Sequence, residues 1–270
     1  MNQTPFAFMG STAAEGPGWG TPPYDTGIQV FYDFGSDDNG QTVSWDPSTN
    51  TVNDVENFAD ATWVPQSGNT FLALSGSGYG AGVAQYSVST KQGQYLDLTD
   101  DANFPSSQTA VSFEWIYKTP TGGLSQDNVL ARYTNGNFST TALESNLQQY
   151  GGSPVADRWY ADITDQSGGN PGTIYWYNTF SADTFYHLVL TAEQNGKLKA
   201  YAQGVLVEES STNYQPTSVF TWSRNNAVIF GSNSYSGGVI FGGLGCFRMY
   251  NTAIPAASVT ANYNYFSAKF

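Results

Sequence analysis

Charge is scarce in this chain of 270 residues. Lys, Arg, Asp and Glu together make up 11% of it, with 9 basic residues against 22 acidic ones and a formal net charge of -13. No Lys/Arg cluster stands apart from that acidity, so nucleic acid and anionic membrane surfaces are excluded as expected partners. Cysteine is scarcer still: Cys246 is alone, which rules out an internal disulfide and any multi-cysteine zinc site. No run approaches the roughly 18 apolar residues of a membrane-spanning helix. The first twenty residues, MNQTPFAFMGSTAAEGPGWG, lack the basic start and apolar middle of a secretion signal. The expectation is a chain without a signal peptide or membrane span, folded in a cytoplasm. Histidine is reduced to His187, so any chemistry that needs an imidazole must pass through that residue.

Aromatics are abundant at 16%, and 29 glycines break the sequence into short pieces. Residues 1–27 form a Gly/Pro/Ser/Thr-rich stretch that still carries Phe6, Phe8, Met9, Trp19 and Tyr24. A purely solvated tail would be poor in aromatics, so this reads as an extended arm lying against its own domain, a neighbouring copy or a partner. From residue 28 onward the period is two. IQVFYDF puts Ile28, Val30, Tyr32 and Phe34 on one face, and VSFEWIYK puts Val111, Phe113, Trp115 and Tyr117 opposite Ser112, Glu114, Ile116 and Lys118. Such alternation predicts half-buried strands, and more than about 10 of them at short spacing predict an all-β sandwich or jelly roll. Residues 28–270 are expected to fold as one domain without the arm.

Two hairpins are predicted. One turns at Asn195-Gly196, a pair suited to positive φ; the other joins RWYADIT to TIYWYN through DQSGGNPG. Near the end, Pro255 suits a first helical turn, and Ile254, Val259, Tyr263 and Phe266 share one helical face, predicting one short C-terminal helix. Within FYHLVLTA, His187 lies on the same strand face as Phe185 and Val189, with no acid nearby in sequence except in the flanking loop and turn. It reads as a packed residue of the sheet.

The stretch FYHLVLTAEQNGKLKAYAQGVLV resembles laminin-G-like, concanavalin A-like domains, with Tyr186, His187, Tyr201 and Gly204 at the matching places. LGCFRMYNTAIPAASVTANYN resembles their closing strand and short helix through Phe247, Arg248, Tyr250, Asn251, Ile254, Val259, Asn262 and Tyr263. VFYDF with the segments after it gives a third match, so the likeness runs over residues 28–266. It implies a concanavalin A-like two-sheet jelly-roll sandwich, in which the histidine is part of the wall. Gly245-Cys246 departs from the family, where an acidic pair often stands.

That fold serves lectins, glycosidases, adhesion modules and virion proteins, so the site must decide. Hydrolases of the related families set paired carboxylates on one strand face as Glu-x-Asp-x-x-Glu, a string absent here. The acids at 36–38, 99–101 and 207–210 sit in turns or as adjacent residues facing opposite ways. No catalytic residues, and no enzyme, are expected. A sugar site needs exposed aromatic faces with Asn or Asp to fix hydroxyls, and Trp159, Tyr160, Asp165, Asn170, Tyr175 and Tyr177 supply both around one hairpin. No cofactor is required. Calcium, which the resemblance implies for many members, would find oxygen ligands in Asp54, Glu56, Asn57 and Asp60, but their spacing is not that of an EF-hand loop and favours a plain acidic loop.

An unsignalled domain of this type with an aromatic arm looks like proteins of bacteriophage particles. That resemblance implies localisation to the virion as a capsid decoration, head fibre or tail-associated protein. Its partners would be a viral capsid or tail protein bound through the arm, further copies in a homotrimer, and host surface glycans. A free carbohydrate-binding lectin is the alternative reading, and a glycoside hydrolase with an unrecognised site the third.

Overall fold

In the computed structural model, the residues described are 18–35, 45–46, 51–52, 55, 61–64, 71–74, 80–81, 83–86, 95–97, 107–124, 128–134, 141–150, 156–163, 173–211, 220–221, 227–229 and 242–270. The expected all-β architecture is present: two large antiparallel sheets and one C-terminal helix.

Sheet I has the strand order β16 (Val205–Glu209), β15 (Lys199–Ala202), β14 (Phe185–Glu193), β9 (Ala110–Lys118), β19 (Gly243–Tyr250), β6 (Val83–Tyr86), β5 (Phe71–Leu74), and β1 (Ile28–Asp33) also pairs with β19. Sheet II runs β13 (Ile174–Asn178), β12 (Ala156–Ile163), β11 (Thr141–Tyr150), β10 (Asn128–Thr134), β18 (Ala227–Ile229), β7 (Tyr95–Asp97), β4 (Ala61–Val64), β3 (Thr51–Val52), β2 (Trp45–Asp46). A two-stranded piece pairs β8 (Ser107–Gln108) with β17 (Phe220–Thr221). Between the large sheets lies the main core. Phe113, Trp115, Tyr117, Leu188, Leu190 and Phe247 of sheet I meet Leu130, Leu147, Trp159, Ala161 and Ile174 of sheet II there.

Sheet I is buried on its other face as well. Helix α1 (Ala256–Ser267) and residues 18–27 cover it, and Trp19, Phe31, Ile116, Val189, Tyr250, Val259 and Phe266 form a second core beneath them. The helix contributes the expected face: Ile254, Val259 and Phe266 are buried and Tyr263 half-buried. The half-buried strands expected from alternation are therefore buried throughout at β14 and β9, apart from their ends. A register shift between Ile28 and Val30 also moves Ile28 off the face of Val30, Tyr32 and Phe34 and into the second core with Phe31.

The stretch read as an arm enters this packing from residue 18. Trp19 is fully buried, its ring 5.5 Å from Phe185 and 6.5 Å from Phe266. The Trp19 and Gly20 backbone N–H groups donate to the Asp33 carboxylate at 3.1 and 2.9 Å, joined by Gly35 N–H at 2.8 Å. A Cβ on Gly245 would stand 2.8 Å from the Trp19 indole. The small residue at the position of the missing acidic pair is thus what lets Trp19 seat.

Both predicted hairpins form, with one change. Between β14 and β15 the connection spans residues 194–198, and of the Asn-Gly pair only Asn195 takes a positive φ, 61°. The tight two-residue turn lies one hairpin later, at Gln203 (φ 51°) and Gly204 (φ 77°), with Ala202 paired directly to Val205. Gln203 tolerates that conformation because its side chain is anchored: Oε1 accepts from His187 N–H at 2.9 Å and Nε2 donates to Phe185 O at 3.2 Å.

Candidate functional site

The histidine belongs to a buried polar cluster on the helix-covered face of sheet I. Register places His187 of β14 against Ile116 of β9, two residue pairs from Glu114 and so on the same face, and places Arg248 of β19 opposite Glu114. His187 Nε2 donates to Glu114 Oε1 at 2.8 Å, Tyr250 Oη to Glu114 Oε2 at 2.5 Å, and Asn262 Nδ2, from α1, to Glu114 Oε1 at 3.1 Å. The Arg248 guanidinium lies 3.7 Å from Glu114, donates to Gly20 O at 2.5 Å, and sits over the rings of Phe31 and Phe266. Burial alone would push the Glu114 carboxyl up; the hydrogen bond and charge of His187, then Arg248 and Tyr250, hold it below its usual range. Glu114, His187, Arg248 and Asn262 have no solvent exposure. No substrate reaches this cluster, whose geometry instead ties three strands, the helix and the N-terminal stretch together. His187 is part of a wall.

The open surface lies on the far side of the molecule, on the solvent face of sheet II. Strand alternation turns Trp159 and Ala161 of β12 and Ile174 of β13 into the core and points Tyr175 and Tyr177 out, 40% and 54% exposed. Cross-strand register sets Tyr160 opposite Tyr175 and Arg158 opposite Tyr177. Tyr175 and Tyr177 stand 6.4 Å apart between centroids with planes inclined by only 21°, and Tyr160 lies 5.5 Å from Tyr175. The Arg158 guanidinium carbon sits 5.0 Å from the Tyr175 ring centroid. The result is one pair of near-parallel rings, Tyr175 and Tyr177, with Tyr160 tilted by 50° against Tyr175 and a cation at one side, on an edge hairpin. Next inward, β11 places Asn146 opposite Tyr160 and Gln148 opposite Arg158.

A family model for the concanavalin A-like lectin/glucanases superfamily matches residues 90–260. The chain belongs to that superfamily. Solved structures share its fold at low sequence identity. Domain 4 of AbnA, a GH43 extracellular arabinanase of Geobacillus stearothermophilus determined with arabinotriose, aligns with a TM-score of 0.54 at 16% identity, covering 88% of this chain and 98% of that one. The binding domain of botulinum neurotoxin serotype G gives 0.54 at 11%, covering 89% and 51%. That of Paraclostridial Mosquitocidal Protein 1 gives 0.52 at 12%, covering 89% and 52%. This chain thus spans about half the length of the two toxin binding domains. No curated protein is significantly similar in sequence.

Within this concanavalin A-like sandwich the residues singled out from the sequence separate. Tyr160, Tyr175 and Tyr177 come together on one face. Trp159 is a correction: it is fully buried, its Nε1 donating to Ser145 Oγ at 2.9 Å and its ring edge-on to Trp115, so it cannot stack on a ligand. Strand alternation forces this, since Tyr160 can face outward only if Trp159 faces in. Asp165 and Asn170, and the calcium candidates Asp54, Glu56, Asn57 and Asp60, lie outside the described residues. Among the described residues no group of three or more His, Cys, Asp or Glu side chains could hold a metal ion. Arg158 was missed; its only sequence signal is its even spacing from Tyr160, which places both on the outward face of β12. A small open cleft between Lys118, Thr119, Asp183 and Gly242 is bridged by the Lys118–Asp183 ion pair, which leaves it no net charge to offer a ligand.

Proposed function

We propose that this chain is a non-enzymatic glycan-binding module whose platform is the Tyr160/Tyr175/Tyr177 face, displayed on a bacteriophage particle and held there through its N-terminal stretch. The observation that carries the reading is the exposed pair of nearly parallel rings at Tyr175 and Tyr177, on strands whose inward residues lock their directions. Sugars present C–H faces that pack on such rings, while neighbouring amides and guanidinium groups meet their hydroxyls. Similar folds support the same role: the arabinanase domain was determined with arabinotriose, and the toxin chains are binding domains. Among the described residues the most deeply buried carboxylate, Glu114, is committed to His187, Tyr250 and Asn262 beneath the helix, which argues against its use in hydrolysis.

The layer order supports the display. Residues 18–27 lie on the outer face of sheet I, and the tyrosine face is the outer face of sheet II. A domain tethered through residues 1–17 on one side would turn its rings away from the tether. Two measurements test the parts separately. Glycan-array binding by the whole protein should fall at least about tenfold in Tyr175→Ala and Tyr177→Ala; retention of full binding by both refutes the platform. Quantitative mass spectrometry of purified particles should find the chain at a fixed ratio to a capsid protein; its presence only in the free supernatant refutes the virion setting and leaves a free lectin.

A further inference from the structure

Sheet I ends on a strand whose first half is apolar and open. Among the described residues β16 pairs on one side only, with β15, while β13 of sheet II lies alongside. Val205 and Leu206 are 63% and 45% exposed. Val205 stands opposite Ala202 and shares the core-facing side of the strand with Val207; Leu206 stands opposite Tyr201 on the helix-covered side. Sheet edges are ordinarily blunted by charge, lysine above all, or by proline. Residues 205–207 carry neither, and charge enters only at Glu208 and Glu209, the latter paired with Lys197.

The side chains along that edge are complementary to themselves. Residues 205–207 read Val-Leu-Val in either direction, so an antiparallel second β16 turned about Leu206 sets Leu206 opposite Leu206 and Val205 opposite Val207, as a two-fold contact requires. The charges agree with this register. In a chain of net charge -13, self-association is opposed wherever acids face each other. Turned about Leu206, the Glu208-Glu209 pair of each copy falls beside the neutral Gln203-Gly204 turn of the other, and the two acidic pairs lie at opposite ends of the contact.

We propose that β16 is a two-fold interface between copies of this chain, joining two sheets I edge to edge about Leu206. The axis of an antiparallel strand pair stands perpendicular to the sheet, so both copies keep the same layer uppermost. Residues 18–27 of both then face one way and the tyrosine faces of both sheets II the other. The pair presents two platforms side by side, and such a contact closes at two copies. One short strand makes a small and therefore weak interface, so the test spans a wide range of concentration.

Sedimentation equilibrium of the whole protein should show its mass rising from one chain toward two, with a midpoint at least about tenfold higher in Leu206→Glu, which sets two carboxylates against each other on the axis. Each variant is first shown to melt with the wild type. Directly opposite residues of an antiparallel pair lie about 4.5–5.5 Å apart between Cα atoms, inside the span of about 4.4–6.8 Å that a disulfide bridges. Mild oxidation should therefore join Leu206→Cys into covalent dimers. Glu209→Cys, which falls opposite Gln203 of the second copy, should remain single chains, and buried Cys246 stays out of the reaction. A wild type that is monomeric throughout, with Leu206→Cys not cross-linked, overturns the proposal, whatever other molecule or segment covers that edge. A dimer indifferent to Leu206→Glu overturns it too, because it must use another surface.

Discussion

Chains beginning at residue 18 and at residue 28 should differ sharply in stability, although the second retains every strand. Loss of residues 18–27 removes Trp19, a fully buried side chain packed on Phe185, Phe266 and Phe270. Large-to-Ala changes at buried aromatic positions cost about 3–5 kcal/mol. The same deletion strips Asp33 of two of its three backbone donors and Arg248 of the Gly20 carbonyl, leaving buried polar groups short of partners at about 1–3 kcal/mol each. Tyr24, whose N–H donates to Asn262 Oδ1 at 3.0 Å, goes too, loosening the residue that holds Glu114. The sum approaches the whole net stability of an ordinary domain, about 5–15 kcal/mol. Trp19→Ala in the full chain isolates the first part, and at about 2–4 °C per kcal/mol should lower Tm by roughly 10 °C. Urea unfolding of the two truncated chains and the point variant, followed by tryptophan fluorescence and circular dichroism, measures this. Equal midpoints for the chains starting at 18 and 28 would refute the claim that this stretch is part of the fold.

Three further outcomes follow from the buried cluster and the open face. Glu114→Gln should destabilise by about 3–5 kcal/mol at neutral pH, because it leaves Arg248 buried without its carboxylate. Since the Glu114 pKa is held below its usual value, that contribution is full above about pH 4.3, the unfolded value, and fades as the pH falls through the folded one. Urea midpoints of the variant and wild type should therefore converge toward acid, and a constant gap down to pH 2 would count against the coupling. Cys246 is fully buried with its thiol pushed up to about 12, chiefly by burial; a disulfide-exchange reagent at pH 8 should leave it unmodified until denaturant is added, and prompt labelling of the native protein would contradict the packing. Tyr177→Ala, at a 54% exposed position, should leave Tm within about 2 °C of wild type, so that any loss of glycan binding in differential scanning and titration experiments is a loss at the surface alone.

Much of this molecule is legible in its residues taken in order. A period of two identifies β9 and β14 and assigns each side chain to one of two faces, because successive Cβ atoms on a strand alternate. The same rule sends Tyr175 and Tyr177 outward, and helical spacing marks Val259 and Phe266 as the buried side of α1. Periodicity cannot say what covers a face. Glu114 and His187 are 73 residues apart in sequence, and only the pairing of β9 with β14 makes them partners. Glu114 reads as a solvent residue until α1 and residues 18–27 close over it. Trp159 shows the same limit: composition groups it with Tyr160 as a ring available for stacking, while its place in the ladder, one residue out of phase, commits it to the core. The sequence by itself determined the all-β class, the faces of strands with clean alternation such as β9 and β13, and the family likeness. Tertiary structure decided which faces meet water, because burial and charge pairing depend on residues brought together from opposite ends of the chain.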